Sequence, residues 1–460
     1  VSAKLPADIG RLRDWLTALH PGLYRYQTPA QFERRVAGLA LEWQLRPALA
    51  ARFLALSRFL AAIRCGHSFC NPNNQTDAIA ADLLPGKRLL PLHFRWIGQR
   101  MVVVRDPWKV GVAPGSEVLA IDRVRTPRIL AALLPYVRAD GHNIAKQRSL
   151  LSIVGNDRFE TFDIFHPLLF ADQGDFFVTL RDPAGRVAGR RLTPIDRAAR
   201  AAAQPPSLDR SGTAPWWTFE QRGPTAILTM DNWAVYQTKW AWQEWLQAKF
   251  AEMVAAGSKT LIVDLRGNEG GIDIGDHLIA HLIYRPLEPF RYRRLLRFRS
   301  VPQSLRAGLK TWDKSFFELG AGARPAEQGF LELTSAEDGP SAVLQPRTPR
   351  FAGKLIVLTD AANSSATNQF AARVQEKKLG TLVGGETGGN QRGINGGAFF
   401  FATLPESGLE FDLPLIATHP PRPMPDRGVV PDVPIAVTAA DIAAGRDTVL
   451  EAAIRLAAKG

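Results

Sequence analysis

Cysteine is nearly missing from this chain: of 460 residues only Cys65 and Cys70 carry thiols. Two thiols cannot build a disulfide framework, so the fold must rest on its core. They flank His67, where either one local bridge or two buried free thiols is expected. So short a spacing argues against a Cys–His nucleophilic pair inside the segment. Long hydrophobic runs are missing as well. No stretch approaches the roughly 20 apolar residues of a membrane-spanning helix, so no integral membrane span is expected. No internal repeat is evident. The first residue is Val1 rather than Met, as expected of a processed or trimmed product. What is present is ordinary globular composition, 46% hydrophobic and 22% charged, which excludes global disorder. The length allows two or three domains, each with its own core. The net charge of +13 comes mostly from arginine and is scattered along the chain. Its densest cluster is Arg291-Tyr292-Arg293-Arg294 with Arg297 and Arg299. That distribution argues for a solvated basic face and against a nucleic-acid partner.

The patterning divides the chain. Residues 1–85 read as a helical domain. Thr28-Pro29-Ala30-Gln31 is a capping box with proline at the first helical position. Phe53, Leu56, Leu60 and Ile63 form a helical stripe from Pro47 to Ile63, and Gly66 is the expected glycine cap. His67 would then sit just past a helix end. Residues 90–195 mix short strands and helices, as in a separate module, and a linker is expected over 196–214, with Pro205-Pro206 inside it. From 215 to 460 strand and helix alternate, predicting an α/β core with right-handed crossovers. The irregular stretch at about 285–349 is expected to be an insertion, a lid or substrate-binding element.

Two strand ends in the core carry chemistry. Thr260 to Leu265 runs into Arg266-Gly267-Asn268-Glu269-Gly270-Gly271. Leu355 to Leu358 runs into Asp360-Ala361-Ala362-Asn363-Ser364-Ser365, followed by a helical pattern. If the strands are parallel, both ends face one edge, where open α/β sheets place ligands. Ser365 would start the helix, with Ala366 N–H and one from Gly270 or Gly271 able to hold an oxyanion. Ser364 is the alternative nucleophile, and all three of Asn363, Ser364 and Ser365 could instead be plain helix caps. His277 and His281 have the i, i+4 spacing of a zinc pair but lack the glutamate that usually accompanies it, so no metal is expected. Trp216, Trp217, Trp240, Trp242 and Trp245 read as core anchors.

Four segments together resemble one family. Asp264-Leu265-Arg266-Gly267-Asn268-Glu269-Gly270-Gly271 is similar to the D-L-R-x-N-x-G-G segment of the C-terminal processing, or tail-specific, serine proteases. Ser365-Ala366-Thr367-Asn368 resembles that family's S-A-S-E nucleophile segment. Gly384-Gly385-Glu386-Thr387-Gly388-Gly389 resembles its V-G-E-x-T-x-G segment, and Arg427-Gly428-Val429-Val430-Pro431-Asp432 its G-V-x-P-D ending. The resemblance covers about 220–436. It implies a crotonase-like β/α protease core, no cofactor and a peptide or protein substrate. Residues 90–195 resemble the PDZ-like module of the family through Gly115-Ser116-Glu117-Val118-Leu119-Ala120-Ile121-Asp122, which implies either substrate tethering or a blocked groove.

One departure selects a branch. Where the bacterial processing enzymes carry a lysine base, this chain has Asn390, and Lys377 and Lys378 fall inside the preceding helix. Gly66-His67-Ser68 instead resembles the G-H-S segment of the tricorn-like branch, which uses histidine. Its implied catalytic set is Ser365 as nucleophile, His67 as base and Asp426 as orienting acid, where glutamate is more usual. Ser68 and Glu386 would be supporting residues, and His20 structural. The resemblance further implies a periplasmic or secreted location. Two rivals stand beside this reading: a catalytically silent binding protein on the same fold, and a crotonase-type enzyme acting on acyl thioesters.

Overall fold

The computed structural model describes residues 5–155, 157–170, 174–204, 212–288, 292–333 and 343–459. Pro205-Pro206 and, in the 285–349 stretch, residues 289–291 (with Arg291) and 334–342 lie outside the described residues.

The first unit is four helices: α1 (Ala7–Leu19), α2 (Pro29–Leu45), α3 (Leu49–Ala61) and α4 (Asp77–Leu83). The expected capping box opens α2, with Thr28 and Gln31 each bonding the other's backbone N–H. The stripe on α3 is buried at Phe53, Leu56 and Leu60. Gly66 is not its cap. The helix ends at Ala61, and Arg64 takes the left-handed turn at φ 61°. Glycine at 66 has another cause: a Cβ there would lie 2.6 Å from the Asp140 carboxylate, which accepts the Gly66 N–H at 2.8 Å.

The second unit carries β1 (His93–Ile97), β2 (Arg100–Arg105), β3 (Glu117–Ile121), β4 (Val124–Arg125), α5 (Thr126–Leu133), α6 (Ile144–Leu150), α7 (Thr161–Leu169), β5 (Phe176–Arg181) and β6 (Val187–Leu192). Its sheet order is β1-β2-β3-β5-β6, antiparallel, with β4 on β3. The outer edge of β1 is taken: Phe94 and Ile153 exchange both backbone hydrogen bonds, and Trp96 N–H donates to Ser152 Oγ. No further strand can add there, whereas β6 is exposed along Val187–Arg191. The expected linker begins as structure. Helix α8 (Arg197–Ala202) inserts Arg200, whose Nε lies 2.8 Å from Asp163 Oδ2 with both side chains 2% exposed.

The third unit is larger: β7 (Thr218–Arg222), β8 (Thr225–Thr229), α9 (Trp242–Ala255), β9 (Thr260–Asp264), α10 (Ile274–Ala280), β10 (Arg293–Leu296), α11 (Gln303–Arg306), β11 (Leu309–Lys310), β12 (Arg324–Pro325), β13 (Leu331–Glu332), β14 (Lys354–Thr359), α12 (Ser365–Glu376), β15 (Thr381–Gly384), β16 (Asn395–Thr403), β17 (Glu410–His419), β18 (Val433–Pro434), α13 (Ala439–Ala443) and α14 (Thr448–Ala458). One sheet runs β18-β15-β14-β9-β8-β7, parallel except for β7 against β8. Leu358 pairs with Asp264 and Thr359 with Gly384, so the predicted loops do leave the sheet at one edge. A second, antiparallel sheet runs β11-β16-β17-β10-β13-β12. The 285–349 stretch supplies four of its strands, which corrects the expectation of an irregular insertion.

Hydrophobic packing groups these units differently from the sequence. Trp15, Phe53, Phe94, Ile129, Phe400 and Leu413 belong to one continuous core, so helices, module and second sheet share an interior. Trp217, Trp240, Leu246, Ile274 and Phe370 fill a separate core between the parallel sheet and α9, α10 and α12. The tryptophans pack edge to face, Trp217 against Trp240 at 4.8 Å, as core anchors do. No helix among the described residues is long and apolar enough to cross a membrane.

Arg200→Ala leaves the Asp163 carboxylate buried without its counter-ion. It should destabilise the chain by about 3–5 kcal/mol. The urea unfolding midpoint measures this, and a change under about 1 kcal/mol would refute the assignment.

Candidate active site

Ser365 stands at the first position of α12 in the left-handed conformation, φ 51°. For a residue with a Cβ that geometry costs roughly 1–3 kcal/mol and must be held by its surroundings. The holding contacts are local. Asn363, fully buried, accepts the Asp360 N–H through Oδ1 and donates to the carbonyls of Leu265 and Asn268. Thr367 Oγ1 is 2.8 Å from the Ser364 carbonyl and 2.9 Å from that of Asn268. Ser364 is buried, and its hydroxyl donates to the Glu269 carbonyl at 3.0 Å. Ser365 is only partly buried, which leaves it the accessible hydroxyl of the pair.

The glycine loop closes on this turn. A Cβ at Gly270 would come within 2.8 Å of the Ser364 carbonyl oxygen and 2.9 Å of Ser365 Cβ. Only glycine allows that approach. The expected oxyanion donors are not equivalent, however. Gly270 N–H is already engaged by Asn268 Oδ1 at 2.8 Å, so it is removed from the predicted set. Gly271 differs. In its bridge to Trp233 the bonds come from Gly270 O and Ile272 N–H, leaving Gly271 N–H outside the pairing. Ala366 N–H belongs to the first turn of α12, where no intrahelical acceptor exists.

His67 is partly buried in the loop after α3, its ring against Phe399 of β16 at 5.7 Å. Its Nδ1 is buried without a hydrogen-bond partner among the described residues. Burial pushes the imidazole below its ordinary value of 6.5; Asp140 opposes this, while Arg138 and Lys146 add to it. His67 is therefore a neutral imidazole at neutral pH, the form a base requires.

A chain of contacts joins the histidine loop to the serine turn. Arg138 donates to Gly66 O at 2.8 Å and to Glu269 Oε2 at 2.9 Å. Lys146 Nζ, on α6, lies 3.3 Å from Glu269 Oε1, 2.8 Å from Ala362 O and 3.2 Å from Ser364 Oγ. Burial alone would raise Glu269, but Lys146 and Arg138 outweigh it and hold the carboxyl at about 2. Asn143, the cap of α6, donates to the carbonyls of Thr387 and Gly389. None of Arg138, Asp140, Asn143, Lys146 or Glu269 was singled out by sequence; an arginine or lysine in a polar segment reads as surface until its burial is known.

Three predicted site residues are not brought to His67. Asp426 accepts from Tyr26 Oη at 2.7 Å and Asn390 Nδ2 at 2.6 Å, and pairs with His142 Nδ1 at 3.3 Å. Burial raises Asp426, but those hydrogen bonds outweigh it and keep the carboxyl below its ordinary value. The carboxylates whose charge acts on His67 are Asp140 first and then Glu269; Asp140 is next to Gly141, where a Cβ would lie 2.6 Å from Asp426 Oδ1. Ser68 Oγ is 2.9 Å from His20 Nε2, so it supports His20 rather than His67. The Nδ1 of His20 accepts the Gly22 N–H, which puts the ring proton on Nε2, and burial lowers His20 to about 3. Glu386 binds Arg427 and the Gly428 N–H, fastening the 427–432 segment. Cys65 and Cys70 are free and buried, with Cys70 pushed up to about 12 by burial. His281 Nδ1 contacts the Pro349 carbonyl and His277 Nδ1 contacts Arg347.

A cleft of about 350 Å³ adjoins the glycine loop. Phe53, Phe69, Tyr136 and Phe165 line it on one side, Glu269 and Gly270 on another.

Comparison with known proteins follows the same outline. The model of peptidase family S41 matches residues 224–435. A crystal structure of a CPAF mutant shares the fold, with TM-score 0.65 at 14% identity over 98% of this chain and 96% of that one. Mature CPAF complexed with lactacystin gives 0.62 at 15% identity, covering 98% and 96%. The photosystem II D1 C-terminal processing protease gives 0.44 at 15%, covering 95% and 94%. No curated protein matches the sequence.

Gly270→Ala should destabilise by about 1–3 kcal/mol beyond Gly267→Ala, because both have positive φ but only position 270 meets neighbouring atoms. Equal unfolding midpoints for the two variants would remove the close-packing explanation.

Proposed function

Over residues 224–435 the chain belongs to peptidase family S41, a family of serine peptidases, and on that premise we propose that Ser365 is its nucleophile and His67 its base. The observation that carries this is the strained, accessible Ser365 turn, packed on Gly270 and joined to the His67 loop through Arg138 and Glu269. His67 takes the Ser365 proton as Oγ attacks the peptide carbonyl. The oxyanion forms against Ala366 and Gly271 N–H groups. His67 then returns the proton to the leaving amine, and water hydrolyses the acyl-enzyme by the reverse steps. Asp140 is the acid that favours the imidazolium, and Asp426 supports it from behind through Asn390 and the 140–142 loop. The peptide occupies the cleft beside Gly270.

The core is read as crotonase-like on its parallel order and the 93–192 sheet as PDZ-like. With the β1 edge already paired, that module is read as the blocked form rather than a peptide-tethering one. The periplasmic or secreted location is proposed from family resemblance alone; recovery of the native chain from the cytosolic fraction would refute it.

A fluorophosphonate should label the folded chain, and Ser365→Ala or His67→Ala should abolish labelling, whereas Asp426→Asn should slow it by only about tenfold. Labelling mapped to Ser364, or unaffected by His67→Ala, would sink the assignment; no labelling at all would favour a silent binding protein. Because the base must be neutral and His67 is lowered from 6.5, the acid limb of the labelling rate should fall below pH 6.5. Asp140→Asn should move that limb still lower, since it removes the charge that favours the imidazolium.

A further inference from the structure

Lys146 is 2% exposed and lies outside the residues 224–435 that match the family model. A buried ammonium is costly unless each of its three donors is met. Here three acceptors surround it: Ala362 O, Ser364 Oγ and Glu269 Oε1. All three are on the two loops that form the Ser365 turn. We propose that Lys146 is a positioning residue for Ser365, a cation from α6 that locks the left-handed turn by clamping Ser364 and Ala362 against the glycine loop. The inference rests on Ser365 as the nucleophile.

The geometry separates this role from that of a base. A neutral amine has two donors and a lone pair, and that lone pair would face a carbonyl, a carboxylate or an occupied hydroxyl. Ser364 already gives its proton to Glu269 O, so the Lys146 contact uses an oxygen lone pair. Ser364 is thereby fixed on both sides and is not available as a nucleophile. The next residue is the strained one. Holding Ser364 restrains the ψ that precedes Ser365, and holding Ala362 restrains the turn before it. The second effect is electrostatic. Asp140, Arg138, Lys146 and Glu269 are the charges that act on His67, and Lys146 keeps their sum from being negative. Removing it leaves Glu269 with one cation, which favours protonation of His67.

A double-mutant cycle tests the clamp, with the second-order rate of fluorophosphonate labelling as readout across pH. Lys146→Met should slow labelling by about 100-fold and Ser364→Ala by about tenfold. The double variant should be no slower than Lys146→Met within about threefold, because both changes break one tie. The acid limb of Lys146→Met should move to higher pH, a shift that mere loosening of the fold would not produce. A Lys146→Met rate within threefold of the wild type, an additive cycle, or an unmoved acid limb would each overturn the proposal. If Lys146→Met does not fold, Ser364→Ala decides alone: a rate within threefold of wild type refutes the clamp. Failure of the underlying reading looks different, since wild type would then show no Ser365-dependent labelling at all.

Discussion

The Glu269 carboxylate is the tie on which the site depends. It sits between Arg138 and Lys146, and these two cations reach outward in opposite directions, one to the histidine loop and one to the serine turn. Four chain segments that are remote in sequence thus meet at one small charge cluster. A carboxylate with two cations is not a net source of stability on the scale of a core, because desolvation offsets most of its attraction. Its value lies in geometry. Each hydrogen bond fixes a loop whose backbone would otherwise be free, and the common hydrophobic interior of helices, module and second sheet keeps the cluster from drifting.

The strain at Ser365 and the glycines opposite it are two sides of one constraint. The left-handed Ser365 opens α12 directly opposite the glycine loop. The facing loop can come this close only without a side chain, since a Cβ at Gly270 would lie 2.8 Å from Ser364 O and 3.0 Å from Ala366 N. Asn268 completes the fit from below. It is fully buried, donates to Met230 O and accepts Gly270 N–H.

The elements that sequence could reveal were those with local causes. The capping box at Thr28, the α3 stripe, the buried strands at 260–264 and 354–359 and the helix after Ser365 all follow from spacing within one element. The four linked segments likewise carried the family reading. What stayed hidden was non-local. The second sheet is built from strands as short as two residues, several of them rich in arginine, and their pairing depends on β16 and β17 a hundred residues on. Gly66 looked like a helix cap because nothing in the sequence places Asp140 beside it. Asp426 looked like the orienting acid because its neighbours matched a family ending, yet Tyr26 and Asn390 claim its oxygens.

Asn390 shows why position and role separate. The lysine expected there is absent, and its place is taken by an amide that binds Asp426 and reaches the Asp140 carbonyl. A lysine does reach the serine turn, but from residue 146 and with its donors committed to Ala362, Ser364 and Glu269. An ammonium so placed cannot accept a proton from Ser365 without first breaking the contacts that hold Ser365 in position. The proton must therefore go elsewhere. On the proposed reading it goes to His67, whose imidazole is lowered by burial and further by Arg138 and Lys146, so the residue proposed to fix the nucleophile also bears on the proposed base.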